Sequence, residues 1–292
     1  MKLLHVMFTM DCEAITGIAT EGGPPDWDFC GRAMRGYAET LEANGYYPTL
    51  FVTPQTAERH APLLRELSAA GAEIGLHLHP QDFGYSDYLG AFDYEAQIKM
   101  LELVTDRWAN AIGCRPQSFR GGNFSANDAT APALCACGYR QGSLSVPGRN
   151  FTRVKSNWAG AMMQPRHMHA ANRLLAGDLP FLEVPATADW ESVMWGGLTK
   201  LELRLEMVDA RAHGFTIRKN VARQLCAGEA PYLCALTHNI FDYSDPQEFR
   251  SQVLSGVIRE IDACAQQQAL TIAGATLKTY HHWFDQQQGE EQ

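Results

Sequence analysis

The sequence predicts an α/β barrel of about seven strand–helix units, in one domain spanning residues 1–292. Three observations predict it. Short apolar runs alternate with longer amphipathic ones along the whole chain. No repeat, low-complexity stretch or Gly/Ser-rich linker divides them. The ionisable residues that stand out follow the carboxyl ends of the apolar runs, the edge at which parallel-strand barrels gather polar groups.

Taken in order, residues 3–10 read as the first strand and 29–43 as a helix stopped by Asn44-Gly45. A strand at 47–52, a helix at 57–70 ending on Gly71, and a strand at 73–78 follow. An aromatic loop precedes a helix at 94–111, a short strand at 117–119, a small helix at 128–137 and a strand at 140–146. Residues 147–179 carry little periodicity. Beyond them come a strand at 181–185, helices at 200–212 and 220–227, a buried strand at 232–237, a long amphipathic helix at 247–267 and a last strand from 270. Repeated units of this kind imply parallel strands joined by right-handed crossovers.

Composition excludes several classes. Hydrophobic residues make up 46% and charged residues 20% of the chain, which is globular rather than disordered composition. The formal net charge of −9 and the lack of any Lys/Arg-rich run argue against a nucleic-acid partner. No run approaches the ~20 apolar residues of a membrane span. The first residues carry no small-residue cleavage site and read as a strand rather than a signal peptide. The eight scattered cysteines form no CxxC pair and read as reduced thiols, so a cytoplasmic protein is expected. Oligomeric state is not legible.

Chemistry collects at four of the predicted strand ends. Asp11 and Glu13 end the first, His77 and His79 the third, Arg120 follows 117–119, and His238 follows 232–237. Residues two apart on an extended chain point the same way, so Asp11 faces with Glu13 and His77 with His79. One carboxylate with two imidazoles is an open-site ligand set for zinc or another first-row divalent ion. Each pattern alone is as readily a loop, an ion pair or a core residue. Their meeting at one sheet edge favours a functional site.

These residues sit in a recognisable setting. The run YPTLFVTPQTAERHAPLLRELSAAGAEIGLHLHP, preceded by FTMDCE and followed by FRGGNF, ATADW and CALTHN, resembles the polysaccharide deacetylases, also called the NodB-homology or carbohydrate esterase family 4 enzymes. The likeness spans about residues 3–280 and is weakest between 140 and 180. It implies a distorted (β/α) barrel and a hydrolase that removes an acetyl or formyl group from an amino sugar with a divalent metal, zinc above others. Asp11 matches the general base, Arg120 the arginine that orients it, and His238 the general acid. Glu13, His77 and His79 match the metal ligands. Asp189 and Trp190 match the Asp-Trp pair that supports the acid histidine and walls the pocket, and Asn123 stands at the substrate wall.

Two departures from the family pattern matter. The second metal histidine is usually four residues after the first, where this chain has Gln81, so His79 must replace it. Gly122 and Asn123 stand where a Pro-Tyr pair is usual. The His-x-His-Pro form is most similar to the branch associated with lipopolysaccharide and O-antigen biosynthesis; the sequence leaves open whether the sugar is nucleotide-linked or lipid-linked. The rival readings are a hydrolase of a cyclic ureide or other non-sugar amide, and a silent sugar-binding homologue. His167 and His169 read as a surface loop, and His281 and His282 carry no assigned role. Trp158, Trp190 and Trp195 are either sugar platforms or packed residues.

Overall fold

The computed structural model describes residues 2–290. Strands β1 (Leu3–Cys12), β2 (Thr49–Val52), β3 (Glu73–Leu78), β4 (Ser118–Gly121) and β5 (Gln141–Gly142) lie side by side in parallel, separated by helices α1 (Trp27–Glu42), α2 (Pro54–Ala69), α3 (Tyr94–Ile112) and α4 (Thr130–Ala136). The helices begin where the sequence supplies caps: the Asp26 carboxylate accepts from Phe29 N, Thr53 precedes Pro54, and the Asp93 carboxylate accepts from Ala96 N. Helix α3 stops at Gly113, whose φ of 97° is a left-handed conformation that suits glycine.

Residues 147–179 form β6 (Asn150–Phe151), β7 (Ser156–Asn157), β8 (Arg166–His169) and β9 (Asn172–Ala176), where little regular structure is expected from sequence. His167 and His169 therefore lie on a strand, not on a loop. Next come β10 (Leu182–Glu183), an outlying hairpin of β11 (Ala188–Met194) and β12 (Thr199–Glu202), helix α5 (Ala210–Cys226), β13 (Tyr232–His238), α6 (Phe249–Gln267), β14 (Thr271–Gly274) and α7 (Leu277–Glu290). The expected strand at 140–146 shrinks to two residues. Past Gly142 the buried Glu183 carboxylate accepts from the amides of Leu144 and Ser145, both at 2.9 Å, and so takes the place of a ladder.

The expected helix at 200–212 is not formed. Leu201, Leu203 and Leu205 alternate with Lys200, Glu202, Arg204 and Glu206, a period of two, and residues 199–204 run extended before a turn at 205–207. The helix starts only at Ala210, capped by Asp209, and absorbs the separate helix expected at 220–227.

The main sheet runs β13-β1-β2-β3-β4-β5-β10-β8-β9, with β14 beside the first half of β1. It curls without closing as a continuous ladder. Between β10 and β13 the join is made by Thr187, whose amide donates to Cys234 O at 3.0 Å, and by residues 203–205, which exchange backbone bonds with Leu236. The architecture is thus an irregular (β/α) barrel: Met7, Phe51, Leu182, Val184 and Cys234 pack its interior, while Phe8, Met10, Leu50, Leu76 and Phe119 form the buried layer between sheet and helices. At the amino ends of the strands, Glu73 accepts from the Lys278 amide at 2.9 Å and from Thr49 Oγ1 at 3.0 Å, which seats the start of α7 under the barrel.

Candidate active site

The carboxyl ends of β1, β3, β4 and β13 surround a cavity of about 450 Å³. Register brings the side chains there: Asp11 is paired with His238 across β1 and β13, and His77 with Arg120 across β3 and β4. Asp11, Glu13, His77, His79 and Arg120 are all buried.

Three donor atoms converge. Glu13 Oε1 lies 3.1 Å from His77 Nε2 and 3.0 Å from His79 Nε2, and the two nitrogens are 3.2 Å apart. A tetrahedral ion with bonds of about 2.0–2.1 Å would have ligands about 3.3–3.4 Å from one another, close to these spacings. His77 Nδ1 is 3.0 Å from the Arg120 carbonyl, which accepts its N–H and so turns the Nε2 lone pair inward. Glu13 Oε2 is buried without a protein partner. Burial opposes ionisation of Glu13, yet His79 and His77 hold its carboxyl well below the usual range, so Glu13 stands beside the two imidazoles as an ionised carboxylate. The chain's residues fit a divalent metal ion.

Asn239, which follows the histidine of the CALTHN run, fixes Glu13 from behind. Its Oδ1 accepts from Glu13 N and its Nδ2 donates to Glu13 O, both at 2.9 Å. His79 is held differently: its ring lies on Gly122, where a Cβ would meet ring atoms at 2.3–2.6 Å. The unusual histidine and the unusual glycine are therefore one feature. His79 occupies the room that a side chain at 122 would take.

Beside these three residues stand two further pairs, Asp11 with Arg120 and His238 with Glu206. Arg120 Nη1 donates to Asp11 Oδ1 at 2.7 Å, with the guanidinium 4.4 Å from the Phe51 ring centroid. Burial alone would raise the Asp11 pKa, but the charges of Arg120, His77 and His238 lower it on balance. His238 Nε2 faces Asp11 Oδ2 at 3.9 Å, while its Nδ1 donates to Glu206. Burial disfavours a charged His238, and the Glu206 carboxylate more than reverses this, raising its pKa. Arg204 also lines the cavity, paired with buried Glu202 at 3.0 Å. Asn123 is at the rim in a left-handed conformation (φ 57°), which asparagine tolerates better than most residues.

Asp189 and Trp190 do not reach this cavity. Asp189 sits on β11, where Lys219 Nζ approaches it at 2.5 Å, and the same ammonium lies 4.7 Å from the Trp190 ring centroid. The carboxylate behind His238 is Glu206, not Asp189. Sequence reasoning missed Glu206 because a helix was expected over it. Trp158 is fully buried, donating to Phe124 O, and Trp195 is on the outlying hairpin.

No protein-family profile matches the chain, and no curated protein matches its sequence. Solved structures do match. One, from Mycobacterium smegmatis and designated a polysaccharide deacetylase, is 18% identical with a TM-score of 0.64, the match covering 98% of this chain and 92% of that one. Another so designated, from Pseudomonas aeruginosa PAO1, is 13% identical with a TM-score of 0.55 over 96% and 90%. Puue allantoinase is 14% identical, with a TM-score of 0.55 over 96% and 89%. The chain has the NodB-like barrel fold of the polysaccharide deacetylases.

Proposed function

We propose that this protein is a metal-dependent hydrolase that removes an N-acetyl or N-formyl group from an amino sugar. The observation that carries the reading is the single cavity in which Glu13, His77 and His79 face the Asp11–Arg120 and His238–Glu206 pairs. The chemistry that a bound divalent cation supplies here is Lewis-acid polarisation of the acyl group and of water, and two imidazoles with one carboxylate match zinc well.

The chain's own residues do the rest. Asp11, kept ionised by Arg120, takes the proton of the attacking water. His238 Nε2 donates a proton to the departing amine, and Glu206 holds the ring by its Nδ1 proton so that Nε2 points into the cavity. Base and acid stand on one wall, with the ligand trio beside them. A cavity of about 450 Å³ suits a small sugar better than a long chain. With the His-x-His-Pro form, this supports a nucleotide- or lipid-linked sugar of lipopolysaccharide, O-antigen or other surface-polysaccharide biosynthesis, acted on in the cytoplasm by one catalytic domain. No helix among the described residues is long and apolar enough to cross a membrane.

The fold likeness to Puue allantoinase favours one rival, a cyclic ureide as substrate. A panel of free, nucleotide-linked and lipid-linked N-acyl sugars together with ureides, assayed after chelation with and without added Zn2+, separates the two. Acetate or formate is expected from an N-acyl sugar only with metal. Asp11→Asn and His238→Ala should each lower kcat by about 10²-fold or more with metal retained, whereas His79→Ala should lose metal. Ureide turnover without sugar turnover would move the substrate assignment, and full metal in His79→Ala would overturn the ligand set.

A further inference from the structure

At the opposite end of the barrel, three residues far apart in sequence converge. His281 and Asp285 are four apart on α7 and share a face, and His167 reaches them from β8. His167 Nε2 is 2.8 Å from Asp285 Oδ1 and His281 Nε2 is 3.3 Å from Asp285 Oδ2. The three ligand atoms all lie within 4.8 Å of one another.

The proton positions can be followed through the barrel floor. Gln141 Nε2 lies 2.7 Å from Ser118 Oγ and 3.3 Å from a Glu73 carboxylate oxygen, so the amide must point its NH2 that way and its oxygen the other. That oxygen is 3.0 Å from His281 Nδ1, which therefore carries the proton. His281 is buried, and in the neutral ring with its proton on Nδ1 the Nε2 is a bare lone pair. It has no hydrogen-bond partner and faces the Asp285 carboxylate. His167 reaches the same carboxylate: its Nδ1 donates to the Leu179 carbonyl at 3.0 Å, and its Nε2 is turned to Asp285. The His281 lone pair held against the carboxylate repels it, and a cation between them removes the conflict. Imidazoles whose other nitrogen is tied to a carbonyl or amide oxygen are the usual form of metal-ligating histidine.

We infer that His167, His281 and Asp285 form a second divalent-cation site, separate from the cavity, that fastens helix α7 to strand β8. Two imidazoles and one carboxylate suit Zn2+ or a neighbouring first-row ion. Asp285 is half-exposed, so water completes the coordination from outside. Arg140 and His282 are the other basic groups that act on His281, and their charge opposes a bound cation.

The test counts zinc. The full chain is stripped with chelator, reloaded with Zn2+, freed of excess by gel filtration and analysed for metal. Asp285→Asn and His167→Ala should each hold one equivalent less than the parent, with circular dichroism unchanged. Reading the difference makes the result independent of whether the Glu13 site loads. Zn2+ should also slow amide exchange in α7 of the parent and not of Asp285→Asn. Equal zinc in parent and both variants overturns the site, with His167 and Asp285 then a plain ion pair. Loss of zinc without a change in α7 exchange overturns the fastening role.

Discussion

At the scale of single residues, the site divides into groups that touch the reacting atoms and groups that act through them. Glu206 is the clearest of the second kind. Its carboxylate is buried beside His238 and Arg204, and although burial would raise its pKa, His238 lowers it on balance. It therefore keeps a negative charge that favours the protonated imidazole. Replacing it with glutamine removes the charge and leaves the shape. Glu206→Gln should lower kcat by about 10-fold or more, leave metal content unchanged, and move the alkaline limb of the pH–rate profile to lower pH, because His238 then loses its proton sooner. In a His238→Ala background the same change should have little further effect. An unmoved alkaline limb would show that Glu206 does not govern the acid. Glu206 and Asn239 were illegible in sequence for one reason: each works by positioning a residue from another segment, and no local spacing records that. Asp11, Glu13, His77 and His79 were legible because a strand's period of two is a local fact.

At the scale of elements, the sheet edge depends on two segments that had to change together. Strand β3 delivers His79 and the turn after β4 delivers Gly122, and the ring fills the space above the glycine. A methyl group at 122 would overlap the ring at 2.3–2.6 Å, far inside contact distance. Gly122→Ala should thus displace His79 and cut metal content as His79→Ala does, while thermal stability falls only by about 1–3 kcal/mol. Metal analysis beside thermal unfolding checks it, and a Gly122→Ala protein with full zinc would contradict the packing. The sequence placed most elements within a few residues because helix caps and Gly stops are local signals: Asp93 and Gly113 bound α3, and α2 stops just before Gly71. It failed at 200–212, where leucines and charged residues favour a helix by propensity but alternate with a strand's period. There the pairing of residues 203–205 with β13 decided the outcome, and a long-range contact of that kind is invisible to a window read along the chain. The misreading hid the closing seam of the barrel and Glu206 together.

At the scale of the whole molecule, buried ionisable groups outside the cavity set how the fold responds to acid. His5 on β1 packs against Trp283 and Tyr280, and His213 is buried in α5. Burial lowers both pKa values from 6.5 to about 4. Between those values the unfolded chain binds more protons than the folded one, so stability is full above about pH 6.5 and falls as the pH drops toward 4. Glu202 acts in a lower window. Burial would raise its pKa, but Arg149, at 2.5 Å, and Arg204 lower it from 4.5 to about 2. The stability it contributes is present above about pH 4.5 and is lost as the pH falls through 2. Tm should therefore decline in two stages, from 6.5 to 4 and again below 4.5. His213→Gln should make the first stage shallower, with His5 supplying the remainder, and leave the second. Glu202→Gln should flatten the second, and at neutral pH it should cost about 3–5 kcal/mol by leaving the buried Arg149 without its carboxylate. Thermal melts of the parent and both variants from pH 8 to pH 2 measure each slope. A parent Tm that holds constant between pH 6.5 and 4 would mean that His5 and His213 are reached by water and titrate as they do in the unfolded chain.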